Sequence, residues 1–218
     1  MSSLARGIII NIIVIIVLIG GGAIGYYYYD QSANYVKTDN AMIDGQSIPI
    51  AAPAAGKLTK WDGQVGNTFD ANDKVGEVEA QGSDGRTQKM PITMPEHATI
   101  VQNKVVKNSF VGAGTPIATA YDLSDLYVTA NIDETDIDDV KKDQKVDIYV
   151  DAYPDTKFTG RVQQIGKATA STFSMMPQSN ANGNFQKVTQ VVPVKISIDN
   201  YKGVSLKPGM NVTVKVHI

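Results

Sequence analysis

The sequence predicts a mainly β body carried behind one N-terminal membrane-spanning helix, with the body divided into a small sandwich and a small β-barrel. Three observations predict it: an uncharged apolar run at the start, short Val/Ile/Thr-rich runs bounded by turn residues, and an internal repeat. From Ile8 to Ile19 eleven of twelve residues are Ile, Val or Leu, and Arg6 is the only charged side chain before Asp30. Wound as a helix, 7–28 covers about 33 Å, enough for a bilayer core. Ile8, Ile12, Ile16 and Ile19 would lie in the hydrocarbon, with Tyr26 and Tyr28 at headgroup level. Arg6 and the amino terminus favour a cytoplasmic start, so residues 1–29 form a tip and anchor. Gly21-Gly22-Ala23 resembles a signal cleavage site, but the run outlasts a usual signal core, so we read an uncleaved anchor. Gly21 and Gly25 form a GxxxG pair and Asn11 is a lone amide in the span, both suited to helix association.

A linker and first strand follow over 30–45. Beyond them, 47–51, 56–61, 74–80, 126–132, 145–150, 158–165, 188–198 and 211–216 read as strands separated by Gly, Asn, Asp and Pro. Polar Lys195, Ser197, Asp199, Thr213 and Lys215 alternate with apolar neighbours, as one wet face requires. One short helix is expected from Thr135, where Thr135-Asp136-Ile137-Asp138 resembles a capping box closed by Lys141 and Lys142. We assign 122–218 to the barrel.

Residues 50–80 and 92–121 repeat one another at an offset of 41 to 42. Pro53 matches Pro95, Leu58 matches Ile100, Asn67-Thr68-Phe69 matches Asn108-Ser109-Phe110, and Val75 matches Ile117 after a one-residue slip. Two copies are too few for a solenoid, so halves 46–80 and 90–121, joined by a short loop 81–89, intertwine into one domain spanning 46–121. Such pairs build the lipoyl or biotinyl fold, a barrel-sandwich hybrid. A carrier lysine would sit in the joining turn. Lys89 lies there, whereas Lys74, in an Asp-Lys-Val triplet, precedes its strand, so a structural domain is favoured over a swinging arm.

Twenty basic and 22 acidic residues, net charge -2, oppose a nucleic-acid surface, and the lack of cysteine excludes disulfides and thiolate chemistry. His97 and His217 lack metal-ligand spacing, and a triad around His97 is not implied by sequence. Asp133, Glu134, Asp136, Asp138 and Asp139 lack the calcium-loop pattern and read as a solvated helix start. Trp61 reads as packing. Phe173, Met175, Met176 and Phe185 sit in a Ser/Asn/Gly-rich stretch, 170–186, and either cap the barrel or meet a partner. No catalytic residue, cofactor or metal is expected.

An anchor, a lipoyl-like double half-motif and a β-barrel tail together resemble the HlyD-type membrane fusion proteins. Tyr35-Val36-Lys37-Thr38-Asp39-Asn40-Ala41, 128–135, Asp151-Ala152-Tyr153-Pro154, Phe158-Thr159-Gly160-Arg161-Val162 and 180–194 resemble the EmrA-like multidrug-efflux adaptors in that family's order. Asp143-Gln144 stands where the family often has Gly-Gln. The resemblance implies a non-enzymatic adaptor in the cell membrane, single-pass, with its bulk outside and a polytopic transporter as partner. A major-facilitator pump comes first, an ABC exporter second, with self-association into a homo-oligomer. A carrier domain or a surface module without a pump are the competing classes. Gram-negative members insert an α-helical hairpin between the lipoyl halves. Here 81–90 is ten residues, reaching no more than about 17 Å out and back. No outer-membrane channel is therefore expected, and a single-membrane cell is implied.

Overall fold

The computed structural model describes residues 14–23, 25, 26, 29, 33–81, 86–173 and 189–218. Ile8, Ile12, Tyr28, Met175, Met176 and Phe185 lie outside the described residues. Residues 14–23, which include Ile16 and Ile19, are helical and exposed, as is Tyr26; among the described residues no helix is long and apolar enough to cross a membrane.

In chain order β1 (Tyr35–Asp44) leads into the sandwich strands β2 (Ser47–Ala51), β3 (Gly56–Trp61), β4 (Thr68–Phe69), β5 (Lys74–Gln81), β6 (Thr87–Thr93), β7 (Ala98–Asn103), β8 (Phe110–Val111) and β9 (Pro116–Tyr121). The remaining strands are β10 (Tyr127–Asp133), β11 (Lys145–Val150), β12 (Lys157–Ile165), β13 (Val191–Ser197) and β14 (Asn211–His217). Two compact units result. One gathers the described residues up to Ala41 with Val128–Lys202 and Asn211–Ile218, the other Met42–Tyr127 with Gly203–Met210.

The sandwich stacks sheet β2-β9-β7-β4 on sheet β6-β5-β3-β8. Its internal symmetry is stricter than the sequence repeat. Adding 42 to the strand limits of β3 and β4 gives those of β7 and β8. The β3–β5 pair Leu58↔Val78 becomes the β7–β9 pair Ile100↔Ala120, and Gly56↔Val111 becomes Ala98↔Phe69. Loop bonds repeat too: Gly66 N–H to Ile100 C=O and Asn108 N–H to Leu58 C=O, both 2.8 Å. No slip remains. The one-residue shift suggested by the two Asn-x-Phe triplets is corrected: Phe69 corresponds to Val111, which is buried, while Phe110 corresponds to Thr68 and is 83% exposed.

Backbone geometry explains why the triplets mislead. Each half needs two left-handed residues, filled by Gly66 (φ 96) and Asn72 (φ 70) in the first and by Asn108 (φ 71) and Gly114 (φ 73) in the second. Glycine and asparagine are the residues that enter this region at least cost. The chemistry thus alternates while the geometry stays fixed. Inside, Ile50, Leu58, Val75, Val78, Ile92, Ile100 and Ile117 are buried, and Trp61 packs against them with its Nε1–H directed to Asn103 Oδ1 at 3.2 Å. Edge strands β2 and β6 carry Pro49 and Pro91 at equivalent places, which blunts them against adding a further strand. β6 starts at Thr87, so strand pairing reaches to Gln81↔Thr87 and only 82–86 join the halves.

The second unit is a closed barrel, ordered β1-β10-β13-β12-β11-β14. Alternation in β10, β13 and β14 turns Val128, Ala130, Ile132, Val194, Ile196, Val212, Val214 and Val216 inward around Phe158. Each of the buried valines, isoleucines and Phe158 contributes about 1.5 to 3 kcal/mol. At Gly160 a Cβ would lie 1.8 Å from Ser197 O, so β12 and β13 approach there only because the side chain is absent. The helix expected at Thr135 is corrected to a single 3-10 turn, Ile137–Asp139, without a side-chain cap. Thr135 Oγ1 bonds Asp136 Oδ1 instead of a backbone N–H, and Val140 is pulled into the barrel wall. The eleven residues between β10 and β11 are fewer than an isolated α-helix needs, and both ends are tied to neighbouring strands by Glu134 N–H to Gln190 C=O and Asp143 N–H to Val162 C=O. Asp143 (φ 69) occupies the left-handed position where the resembling family has glycine, so that departure keeps the turn.

Asp147 faces outward on β11 yet is only 5% exposed. Lys157 Nζ on β12 lies 2.8 Å from its Oδ2, and His217 Nε2 on β14 lies 3.1 Å away, angled off hydrogen-bond geometry. The His217 ring in turn meets Tyr35 on β1 edge to face at 4.9 Å, so the cluster crosses four strands. Burial pushes the Asp147 carboxyl up, but Lys157 and His217 outweigh it and hold it below its ordinary value; the same bond holds Lys157 up.

Two predictions follow from this packing. Asn108→Gly should leave unfolding free energy within about 0.5 kcal/mol, whereas Asn108→Val should cost about 1 to 2 kcal/mol in chemical denaturation of the full chain. Because the folded Asp147 carboxyl titrates below its unfolded value, its contribution is present above the unfolded value and lost as pH falls through the folded one. Asp147→Asn should cost about 2 to 3 kcal/mol at neutral pH. Its deficit against the unmodified chain should shrink as pH drops below about 4, measured by melting temperature against pH.

Candidate functional site

The chain's features converge on one end of the barrel, the end where β1 begins. Ile218 N–H donates to Asn34 C=O at 3.0 Å, so the last strand finishes where the first starts. Glu134 N–H donates to Gln190 C=O at 2.9 Å, placing the close of β10 beside the entry to β13. With β11 antiparallel to β12 and β14, the 134–144 and 166–190 connections leave the barrel at this same end.

The base of the second connection is tied down. Gly166 N–H donates to Pro193 C=O at 2.8 Å, the Thr169 hydroxyl meets Ser171 and Thr172, and Ser171 bonds Gln190. A 3-10 turn, Ala170–Phe173, packs on β13. The structure thus places the backbone of Phe173 at this end; Met175, Met176 and Phe185 fall outside the described residues. Two shallow grooves flank the base. One of about 340 Å³ is lined by Lys37, Thr38, Asp39, Ile132, Asp133 and Asp136, the other, about 390 Å³, by Glu134, Ile137, Asp138, Lys167, Thr169 and Val192. Both have charged rims. The acidic residues of 133–138 therefore line grooves rather than cap a helix.

Elsewhere, chemistry-bearing residues are tied up in structure. His97 Nδ1 lies 2.7 Å from Asp70 Oδ1, but both are exposed and the Ser124 hydroxyl is spent on Asp122 Oδ1 at 2.6 Å. Those bonds hold the Asp122 carboxyl below its usual value. Lys74 Nζ is 2.5 Å from Glu77 Oε2, and Lys89, paired with Glu79 inside β6, is 4.0 Å from Glu77 Oε1. Neither stands at the tip of the joining turn. The hydrogen bond from Lys74 lowers the Glu77 carboxyl. Among the described residues no three His, Asp or Glu side chains are placed to hold a metal. Sequence reasoning missed the Asp147 cluster, whose members are 10 and 70 positions from Asp147; only the run of outward polar residues on β11, β12 and β14 hinted at it.

Residues 46–122 match the YhbJ barrel-sandwich hybrid domain family, and 126–216 match the YknX-like beta-barrel domain family. A Bacillus subtilis protein named as an efflux system component, YhbJ, is 48% identical over 211 residues, covering 97% of this chain and 92% of the relative. The Acinetobacter baumannii colistin resistance protein EmrA is 39% identical over 128 residues, 58% of this chain and 36% of that protein. The solved periplasmic adaptor EmrA shares the fold at TM-score 0.55 and 11% identity, covering 84% of this chain and 98% of that one. The pneumococcal membrane fusion protein Spr0693 does so at TM-score 0.59 and 13%, covering 84% and 97%. With a barrel-sandwich hybrid, a closed barrel and a near full-length relative in agreement, this chain belongs to the HlyD-type membrane fusion proteins, among the EmrA- and YhbJ-like adaptors, which are not enzymes.

Proposed function

We propose that this chain is the membrane-anchored adaptor subunit of a multidrug or toxic-compound efflux system, working with a polytopic transporter of the major-facilitator class. The carrying observation is the 48% identity to YhbJ across nearly the whole of both chains. The apolar run before Asp30 anchors it as a single pass, the N-terminus is cytoplasmic, and residues 30–218 stand outside. The barrel end at which β1 begins then faces the bilayer, and the 166–190 connection meets the transporter through Phe173, Met175, Met176 and Phe185. The chain does no chemistry; it offers a shaped β surface at the exit, as a homo-oligomer. With 82–86 as the whole connection between sandwich halves, no outer-membrane channel is engaged.

Full-length tagged chain extracted from its native membrane should bring down a major-facilitator transporter. An ATP-binding cassette exporter would transfer the role to that pump class, and recovery of no polytopic protein would leave only a tethered surface module. In the same assay Met175→Ser with Met176→Ser should reduce transporter recovery while the melting temperature stays put, since exposed positions cost within about 0.5 kcal/mol. A large melting drop with recovery intact would mean that these methionines cap the barrel.

A further inference from the structure

The outer wall of the barrel made by β11, β12 and β14 carries a cluster of cations for which no carboxylate ion pair is formed among the described residues. Lys145 and Arg161 are direct partners across β11 and β12, and both are exposed. Like charges set opposite one another weaken a strand pair, so nothing in barrel stability favours them. Lys141 and Lys142, exposed in the turn entering β11, add two more. Lys215 on β14 extends its Nζ to 3.9 Å from the centre of the Tyr35 ring.

Carboxylates do not cancel this charge. Asp147 is buried and taken up by Lys157 and His217, leaving Asp139 and Asp143 as the exposed acids beside Lys141 and Lys142, against five cations. Arg161 reaches the backbone carbonyl of Asp143 at 3.3 Å rather than a carboxylate. Asp133, Glu134, Asp136 and Asp138 line the two grooves formed with β1 and with residues 166–169.

We infer that the basic wall of Lys141, Lys142, Lys145, Arg161 and Lys215 seats on anionic lipid headgroups of the bilayer that holds the anchor. Chain length supplies the occupant. Six residue steps separate Tyr29, the end of the uncharged run, from Tyr35, the first residue of β1, so fully extended they span at most about 22 Å. Headgroups occupy several ångströms of that, so even a fully extended linker leaves the start of β1 within about two Debye lengths, about 8 Å each, of the surface, and any shorter path brings the wall into its field. Clusters of four or more cations beside a membrane span are suited to anionic lipid, and a tyrosine beside them suits the interface. The donors are spread over three strands and a turn of an exposed wall, which fits an extended charged surface better than one bound anion. This inference rests on the anchor reading above.

The test uses full chain in lipid nanodiscs. The protein has no cysteine, so Gln163→Cys on the exposed side of β12 takes a single donor dye, with an acceptor on the lipid headgroups. Energy transfer should be higher in nanodiscs containing phosphatidylglycerol than in pure phosphatidylcholine. The excess should vanish on raising salt from about 0.05 to 0.5 M, and in Lys145→Glu with Arg161→Glu. Lys145→Gln with Arg161→Gln, a milder pair, should lose part of it with melting unchanged. Equal transfer in both lipids, or an excess that survives both variants, overturns the proposal. So does loss of the excess on adding inorganic phosphate but not chloride of equal ionic strength, which would mark a soluble anion site. Failure to co-elute even with phosphatidylcholine nanodiscs would instead remove the anchor reading.

Discussion

The pairing of the first and last strands is the constraint on which the rest depends. β1 and β14 run antiparallel, tied at one end by Ile218 to Asn34 and at the other by Ile43 N–H to Met210 C=O and Gly209 N–H to Ile43 C=O, both 2.8 Å. The barrel cannot close until β14 reaches β1, a contact of large sequence separation. Closure also decides orientation. It puts the start of β1 and the 134–144 and 166–190 connections at one end, so the proposed anchor before Tyr35 would bring them to the same membrane.

The sandwich solves a different problem, holding two halves together independently of what joins them. Register is fixed by β5–β6 pairing out to Gln81↔Thr87 and by the reciprocal loop bonds of Gly66 and Asn108. The length of the insertion at 82–86 is then free of the core, as the longer adaptors of the family with their helical hairpins illustrate. Proline at equivalent positions of both exposed edge strands keeps this small domain from extending its sheets to other chains.

Much of the architecture was legible in the residues. The limits expected for β2, β3 and β11 agree with those observed, and β5, β10, β12 and β14 differ by a residue or two, because alternation and turn residues act locally. β4 and β8 were not, since two-residue strands carry no period. The slip at Phe110 arose because sequence similarity followed side-chain chemistry, whereas the fold repeats left-handed backbone positions that Gly and Asn fill interchangeably. The Thr135 helix failed for a tertiary reason: both ends of the 134–144 connection are tied to neighbouring strands, at Gln190 and at Val162, and only one 3-10 turn forms between them. Asp147 could not be found from spacing, as its partners come from two other strands. The resemblance carried the family further than any single motif, because its matching segments lie in order along the barrel unit.

The account's central claim is that the barrel end where β1 begins is the face this adaptor turns to its transporter. Cross-linking mass spectrometry on the complex purified from native membranes tests it most directly. The account predicts links from Lys37 and Lys167, which line the two grooves at that end, to extracytoplasmic loops of the transporter. Links confined to Lys57, Lys89 and Lys107 of the sandwich, with none from the barrel rim, would contradict it.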